Sequence, residues 1–225
     1  TNQIVEKVKD AVSKREIYNE LYKSVSLEFA VYAVQLMQHP QIFSSLVSAE
    51  YLYSQYVENR EPNDLFDYSC ISIMYYMSLE DFINKLVFIP YADDVLLTID
   101  RKSVRDKDWK NTEGKKYVSD FSKFFLRNGK PKDSCEIGPL GYLFEGVETE
   151  EFFKKYLTDR FQIYDFERVK TFGTKLKDVA QRRNDAAHGG NYLTYEIVRG
   201  DRDNVYNTVV DYKGMILELL DIIFN

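Results

Sequence analysis

Apolar residues recur at three- and four-residue steps through most of this chain, a spacing that predicts helices. From Ile4 to Met37 the series Ile4, Val8, Val12, Ile17, Leu21, Val25, Phe29, Ala33 and Leu36 is interleaved with charges, and His39-Pro40 interrupts it. Proline disfavours helical backbone at the residue before it, so His39 reads as a turn residue. Gln41 to Val57 carries Ile42, Leu46, Ala49, Tyr53 and Tyr56 on a second stripe. Asn63 or Asp64 is placed to cap a third helix, from Leu65 to Ile89, which Pro90 is expected to stop. On it Ile71, Met74, Tyr75, Leu79, Phe82, Leu86 and Ile89 form one face, while Ile73, Tyr76, Met77, Val87 and Phe88 load the other. A helix apolar nearly all round is buried on both sides. Glu80 falls among the second set; a solvated carboxylate is the plain expectation there, and a basic partner across an interface the alternative.

The middle of the chain is less regular. Tyr91 to Ile99 reads as a short strand or loop, Arg101 to Lys116 alternates both signs of charge around Trp109, and Tyr117, Phe121, Phe124 and Phe125 suggest a helix to about Arg127. Asn128 to Gly146 contains Gly129, Pro131, Gly138, Pro139, Gly141 and Gly146 and reads as a long connection, of the kind that is either functional or mobile. A short helix from Thr149 to Leu157 and a long one from Tyr164 to Ala187 follow. Tyr192 to Val198 reads as a strand or irregular arm, Arg199-Gly200-Asp201 as a turn, and Val205 to Phe224 as the closing helical segment. The pattern predicts an all-α bundle: an N-terminal helical extension over 1–61 and a helical domain over 62–225.

Composition narrows the chemistry. The 225 residues are 44% hydrophobic and 29% charged, enough for a substantial core, and most of the 18 tyrosines and 15 phenylalanines are expected in it. A net charge of −6 argues against bulk coating of nucleic acid, so any such site must be a local basic pocket. No run of 18 apolar residues and no signal-peptide pattern occurs, which leads us to expect a cytoplasmic protein without a membrane partner. Cys70 and Cys135 lack a CxxC spacing and are read as reduced thiols; with two histidines in the whole chain, no metal site is expected. Neither a Walker A sequence nor a G-x-G-x-x-G stretch is present, and no cofactor is expected. The chain starts at Thr1, which suggests a piece of a longer parent protein.

The long helical pattern ends on Arg182-Arg183-Asn184-Asp185-Ala186-Ala187-His188-Gly189-Gly190. Phe166, Val169, Phe172, Leu176, Val179 and Ala180 make one stripe, and at about 100° per residue Arg183 falls inside it while Arg182 lies off it. An arginine where a core residue belongs needs a partner, a wet cleft or a ligand anion. Gly189-Gly190 reads as the helix stop, which puts His188 at or just past the last turn. A histidine there can exchange a proton, or can simply cap the last carbonyls.

Arg183-Asn184-Asp185-Ala186-Ala187-His188 is an R-x4-H pattern and resembles the HEPN superfamily. The resemblance implies a helical bundle and RNA cleavage without a metal. In such cleavage the ribose 2′-OH attacks its own phosphate, which calls for a base, an acid and a cation for the developing charge. One arginine and one histidine per chain are too few, and the resemblance supplies the rest: HEPN domains face each other as dimers and join two copies of the motif. It implies Arg183 as ligand of the phosphate and transition state and His188 as acid and base. Asn184 matches the polar position after the arginine, Asp185 would orient a neighbour and Arg182 would support them. The partners implied are RNA, a second copy of the chain, and a larger parent protein or an antitoxin in a defence or toxin setting. Lys130 and Lys132 would then let the glycine-rich connection line an RNA groove, and the charges around Trp109 could touch RNA as well. Residue 190 is glycine, where HEPN toxins of toxin–antitoxin pairs commonly have tyrosine, so the chain is not placed in that branch. The alternative is a non-catalytic HEPN-like helical module for interaction or RNA binding.

Overall fold

Helices follow the apolar spacing through most of the chain. The computed structural model describes residues 2–39, 41–58, 60–61, 66–98, 126–127, 130–131, 134–188, 193–209 and 212–225, with side chains at 13–39, 41–58, 60–61, 66–94, 134–187, 193–209 and 212–225. The fold is all-α; among the described residues there is one two-residue antiparallel ladder, in which Leu126 (β1, Leu126–Arg127) faces Pro131 (β2, Lys130–Pro131). The chain divides into two compact units: Thr1–Asp81 with Arg183–Glu218, and Phe82–Arg182 with Leu219–Asn225.

The first unit begins with α1 (Asn2–Glu28), a 3-10 turn (Ala30–Tyr32) and α2 (Ala33–Leu36). Val25, Phe29, Tyr32 and Leu36 are buried, as a single helical face requires. His39 lies in the turn that follows: its N–H donates to the Leu36 carbonyl at 2.9 Å and its carbonyl accepts from Ile42 at 2.8 Å. Next come α3 (Ser44–Tyr53), a π-helical turn (Ser54–Glu58) and α4 (Ser69–Ile83), which crosses the unit boundary. Asn63 and Asp64 lie outside the described residues; Asp67 caps α4, accepting from the Ser69 N–H at 3.1 Å and the Ser69 hydroxyl at 2.5 Å. Ile71, Tyr75, Tyr76 and Leu79 are buried, whereas Met77 is exposed.

The C-terminal part of this unit departs from the expected strand or arm. Tyr195–Val205 is a helix, α9, that contains Arg199-Gly200-Asp201, expected to form a turn. Its buried row is Val198, Asp201 and Val205. An aspartate in the middle position hides the apolar periodicity; it is buried because the Ser72 hydroxyl donates to it at 2.7 Å. Gly200 needs no turn either, since a Cβ there would meet nothing within 4 Å.

In the second unit α4 passes into a π-helical turn (Asn84–Phe88) and then α5 (Ile89–Thr98), so Pro90 does not stop the helix and the expected strand or loop from residue 91 is helical. The physical reason is the wider turn. Proline blocks a helix by lacking an N–H and by striking the carbonyl four residues back, and a π-turn relaxes that spacing just before the ring. Asn84, inside this turn, donates to the Cys135 carbonyl at 2.9 Å and accepts from its N–H at 2.7 Å. Residues 99–125 lie outside the described residues, among them the charged run around Trp109 and the expected helix from Tyr117; that helix does not reach Arg127, which sits in β1.

The glycine-rich connection is also corrected: Ile137–Glu145 is a helix, α6. Pro139 sits in its first turn, where no intrahelical donor is needed. Gly141 serves contact rather than freedom. A Cβ on Gly141 would fall 3.2 Å from the Gly173 carbonyl oxygen, and one on Gly173 would fall 2.2 Å from the Glu145 nitrogen. Gly173 belongs to α8 (Phe166–His188), which follows α7 (Glu151–Phe161), so α6 and α8 cross almost backbone to backbone. Val169, Phe172, Leu176, Val179 and Ala180 of α8 are buried, as its stripe predicts. Among the described residues of the expected closing segment, Val205 ends α9 and Met215–Phe224 forms α10.

Candidate functional site

Arg183 continues the buried stripe of α8 into the first unit, and its side chain is 28% exposed. A half-buried guanidinium needs a counter-charge, and Glu80 on α4 supplies one at 4.0 Å with 18% of its own side chain exposed. Glu80 is therefore not simply a solvated carboxylate. The separation is beyond hydrogen-bond range, and among the described residues the guanidinium makes no hydrogen bond. Arg183 is thus held near a carboxylate at ion-pair rather than hydrogen-bond distance.

The rest of the motif lies on the last turns of α8. Arg182, Asn184 and Asp185 are exposed. His188 is the final residue of the helix, and its side chain lies outside the described residues, as do Gly189 and Gly190. A five-residue step in an α-helix turns about 140° and rises about 7.5 Å, so the backbone places Arg183 and His188 on different sides of α8. Asn184 and Asp185, four and three residues before His188, occupy its neighbouring helical positions. Within one chain, helix geometry does not bring Arg183 and His188 onto one face. The backbone of Lys130 is in β2, but the side chains of Lys130 and Lys132 lie outside the described residues.

Other polar groups meet where no sequence motif announced them. Arg202 on α9 donates from Nε and Nη2 to Oε1 and Oε2 of Glu50 on α3, each at 2.8 Å, and the Tyr75 hydroxyl donates to the same carboxylate. Arg202 also lies over the rings of Tyr53 and Tyr206, 4.8 and 5.3 Å from their centroids. Burial pushes the Tyr75 phenol well above its ordinary range, and the Glu50 charge adds to it, so the phenol remains a donor. A signal for this cluster is lacking in sequence because its members come from three separate helices.

The second unit holds a cleft of about 790 Å³ at the junction of α7 and α8, with Arg160, Gln162, Arg168 and the end of α10 in its walls. Among the described residues no group of His, Cys, Asp and Glu gathers as a metal site, and no helix is long and apolar enough to cross a membrane. Cys70 is exposed, with its thiol pushed up by burial and then by the Asp67 charge; Cys135 is buried. No family model matches the chain, and neither does any curated protein or solved structure.

Proposed function

We propose that the chain is a metal-independent endoribonuclease of HEPN type, whose composite site forms when two copies bring their α8 ends together. The observation that carries this reading is Arg183: a half-buried arginine on a core stripe, 4.0 Å from its carboxylate, at the start of an R-x4-H sequence. In this mechanism Arg183 binds the scissile phosphate and the charge that develops on it. His188 takes the proton from the ribose 2′-OH, and its counterpart in the second copy protonates the leaving oxygen. Asn184, Asp185 and Arg182 are the supporting residues. The angular separation of Arg183 and His188 on one helix is the reason for a second copy: each chain offers the arginine and the histidine on different sides of α8. RNA is the substrate, and nucleic-acid defence or a toxin role is the setting this chemistry suits.

The test is incubation of labelled single-stranded RNA with the chain in excess EDTA, beside Arg183→Ala and His188→Ala. Cleavage by the parent chain and its loss in both variants is expected; cleavage surviving in both would remove the proposed site. A second, non-catalytic reading has one observation in its favour. Leu27, Val31, Val34 and Met37 are 73%, 84%, 73% and 73% exposed and recur at helical steps, an apolar row of the kind that interaction modules cover. Absence of cleavage under every condition would favour that reading.

A further inference from the structure

The cleft of the second unit has the chemistry of a ligand site. Arg160, at the end of α7, lies 5.9 and 5.8 Å from the ring centroids of Tyr156 and Phe161, and no carboxylate among the described residues pairs with it. Arg168, in the first turn of α8, approaches Asp221 only to 4.0 Å. The acid on the cleft wall, Asp165, is occupied as the cap of α8, accepting from the Arg168 N–H at 3.1 Å. Buried Ile163, Ile222 and Ile223 supply an apolar lining, and Phe161 meets Phe224 edge to face at 6.2 Å.

Gln162 adds an independent observation. It ends α7 in the left-handed region, with φ 57°, and among the described residues it is the non-glycine residue with positive φ. Glycine closes a helix in this conformation at less cost, by about 1 kcal/mol. A side chain retained in that conformation, at a position that lines a cleft, is strain of the kind found where a group is needed for contact. The connection is also preorganised: the Gln162 N–H donates to the Thr158 carbonyl at 3.0 Å, and the Ile163 N–H donates to the Leu157 carbonyl at 3.4 Å.

We infer that this cleft binds a small organic anion with an aromatic body, a carboxylate or a phosphate monoester, independently of the Arg183 site. Arg160 and Arg168 take the charged group, for which the planar guanidinium fork is suited. Gln162 donates a further hydrogen bond, while Phe161 and the exposed Tyr164 pack on the ring. The volume suits such a ligand, since small-molecule sites run to roughly 300–1,000 Å³.

An NMR titration of the full chain with phenyl phosphate, phenylacetate, inorganic phosphate and benzyl alcohol tests this. Saturable shifts confined to the amides of 160–168 and 222–225 are expected with phenyl phosphate or phenylacetate, and their ranking identifies the preferred head group. Inorganic phosphate and benzyl alcohol should bind about tenfold more weakly or worse, because each lacks half of the recognition. Arg160→Ala should weaken binding by a similar factor. Gln162→Gly should bind several-fold more weakly while its Tm holds or rises by about 2–4 °C, which separates a ligand contact from a structural one. Shifts scattered over the surface, no saturation into the millimolar range, or undiminished binding by Gln162→Gly and Arg160→Ala would overturn the assignment.

Discussion

Arg202 and Glu50 form a two-pronged ion pair inside the first unit, Nε to Oε1 and Nη2 to Oε2 at 2.8 Å each. The geometry fixes α9 against α3 at one register, because a planar fork meets a planar carboxylate in few orientations. Removing Arg202 leaves the partly buried Glu50 carboxylate with the Tyr75 hydroxyl but without its ion partner. Arg202→Ala should therefore cost about 2–4 kcal/mol in chemical denaturation. Arg202→Lys should recover less than half of it, since an ammonium satisfies one oxygen and does not lie flat on Tyr53 and Tyr206. Full rescue by lysine would show that charge alone matters here.

The Arg183–Glu80 contact should behave differently. At 4.0 Å, with both side chains partly exposed, a double-mutant cycle with Arg183→Ala and Glu80→Ala should return a coupling of about 1 kcal/mol or less. A coupling near that of the Arg202 pair would make Arg183 a structural partner of Glu80 and leave it a poor candidate for holding phosphate.

Three glycines make a graded series. Gly173→Ala drives its new carbon to 2.2 Å from the Glu145 nitrogen and 2.7 Å from the Phe144 carbonyl carbon, backbone atoms that cannot swing aside. A loss of about 2–4 kcal/mol is expected. Gly138→Ala, whose carbon meets Ala180 at an ordinary 3.6 Å, should be close to neutral. Gly200→Ala, inside α9 with open space around it, should gain about 0.5–1 kcal/mol from helix propensity. Equal effects at 173 and 200 would contradict the close crossing of α6 and α8.

Two carboxylates give opposite pH responses. The Ser69 hydroxyl, with the Ser69 and Leu193 N–H groups, holds Asp67 below its usual range against a weaker opposing effect of burial. Its contribution is present above the unfolded value of about 3.9 and is lost as pH falls through the folded one. Burial moves Glu150 up, so its contribution is complete below about 4.3 and is lost as pH rises through the folded value. Thermal melts should show Asp67→Asn less stable than the parent at pH 7 and Glu150→Gln more stable, with both differences shrinking below about pH 4. Differences that stay constant with pH would rule out the linkage.

Sequence periodicity revealed the stripe of α8 and placed Arg183 inside it and Arg182 off it; in the fold the first is half-buried and the second exposed. It could not supply Glu80 as the partner, because pairing between distant helices leaves no local trace. Local rules failed where tertiary contacts reuse breaker residues. Gly141 and Gly173 are there for a backbone approach, Gly200 rides an exposed helix face, and Asp201 is a buried polar residue in an apolar row. Gln162 was silent for the converse reason: nothing in its identity announces a left-handed backbone.

The wide turn over Asn84–Phe88 acts as a one-residue insertion in an otherwise continuous rod. Deleting one residue from it would restore ordinary winding and leave the later positions to Thr98 on the faces they now occupy, because the extra residue is absorbed within the wide turn. Tyr91 and Ala92 would stay buried, but the Pro90 ring would then face the carbonyl four residues back at ordinary helical spacing. The surplus residue of this stretch thus makes room for a proline without turning the face that follows it.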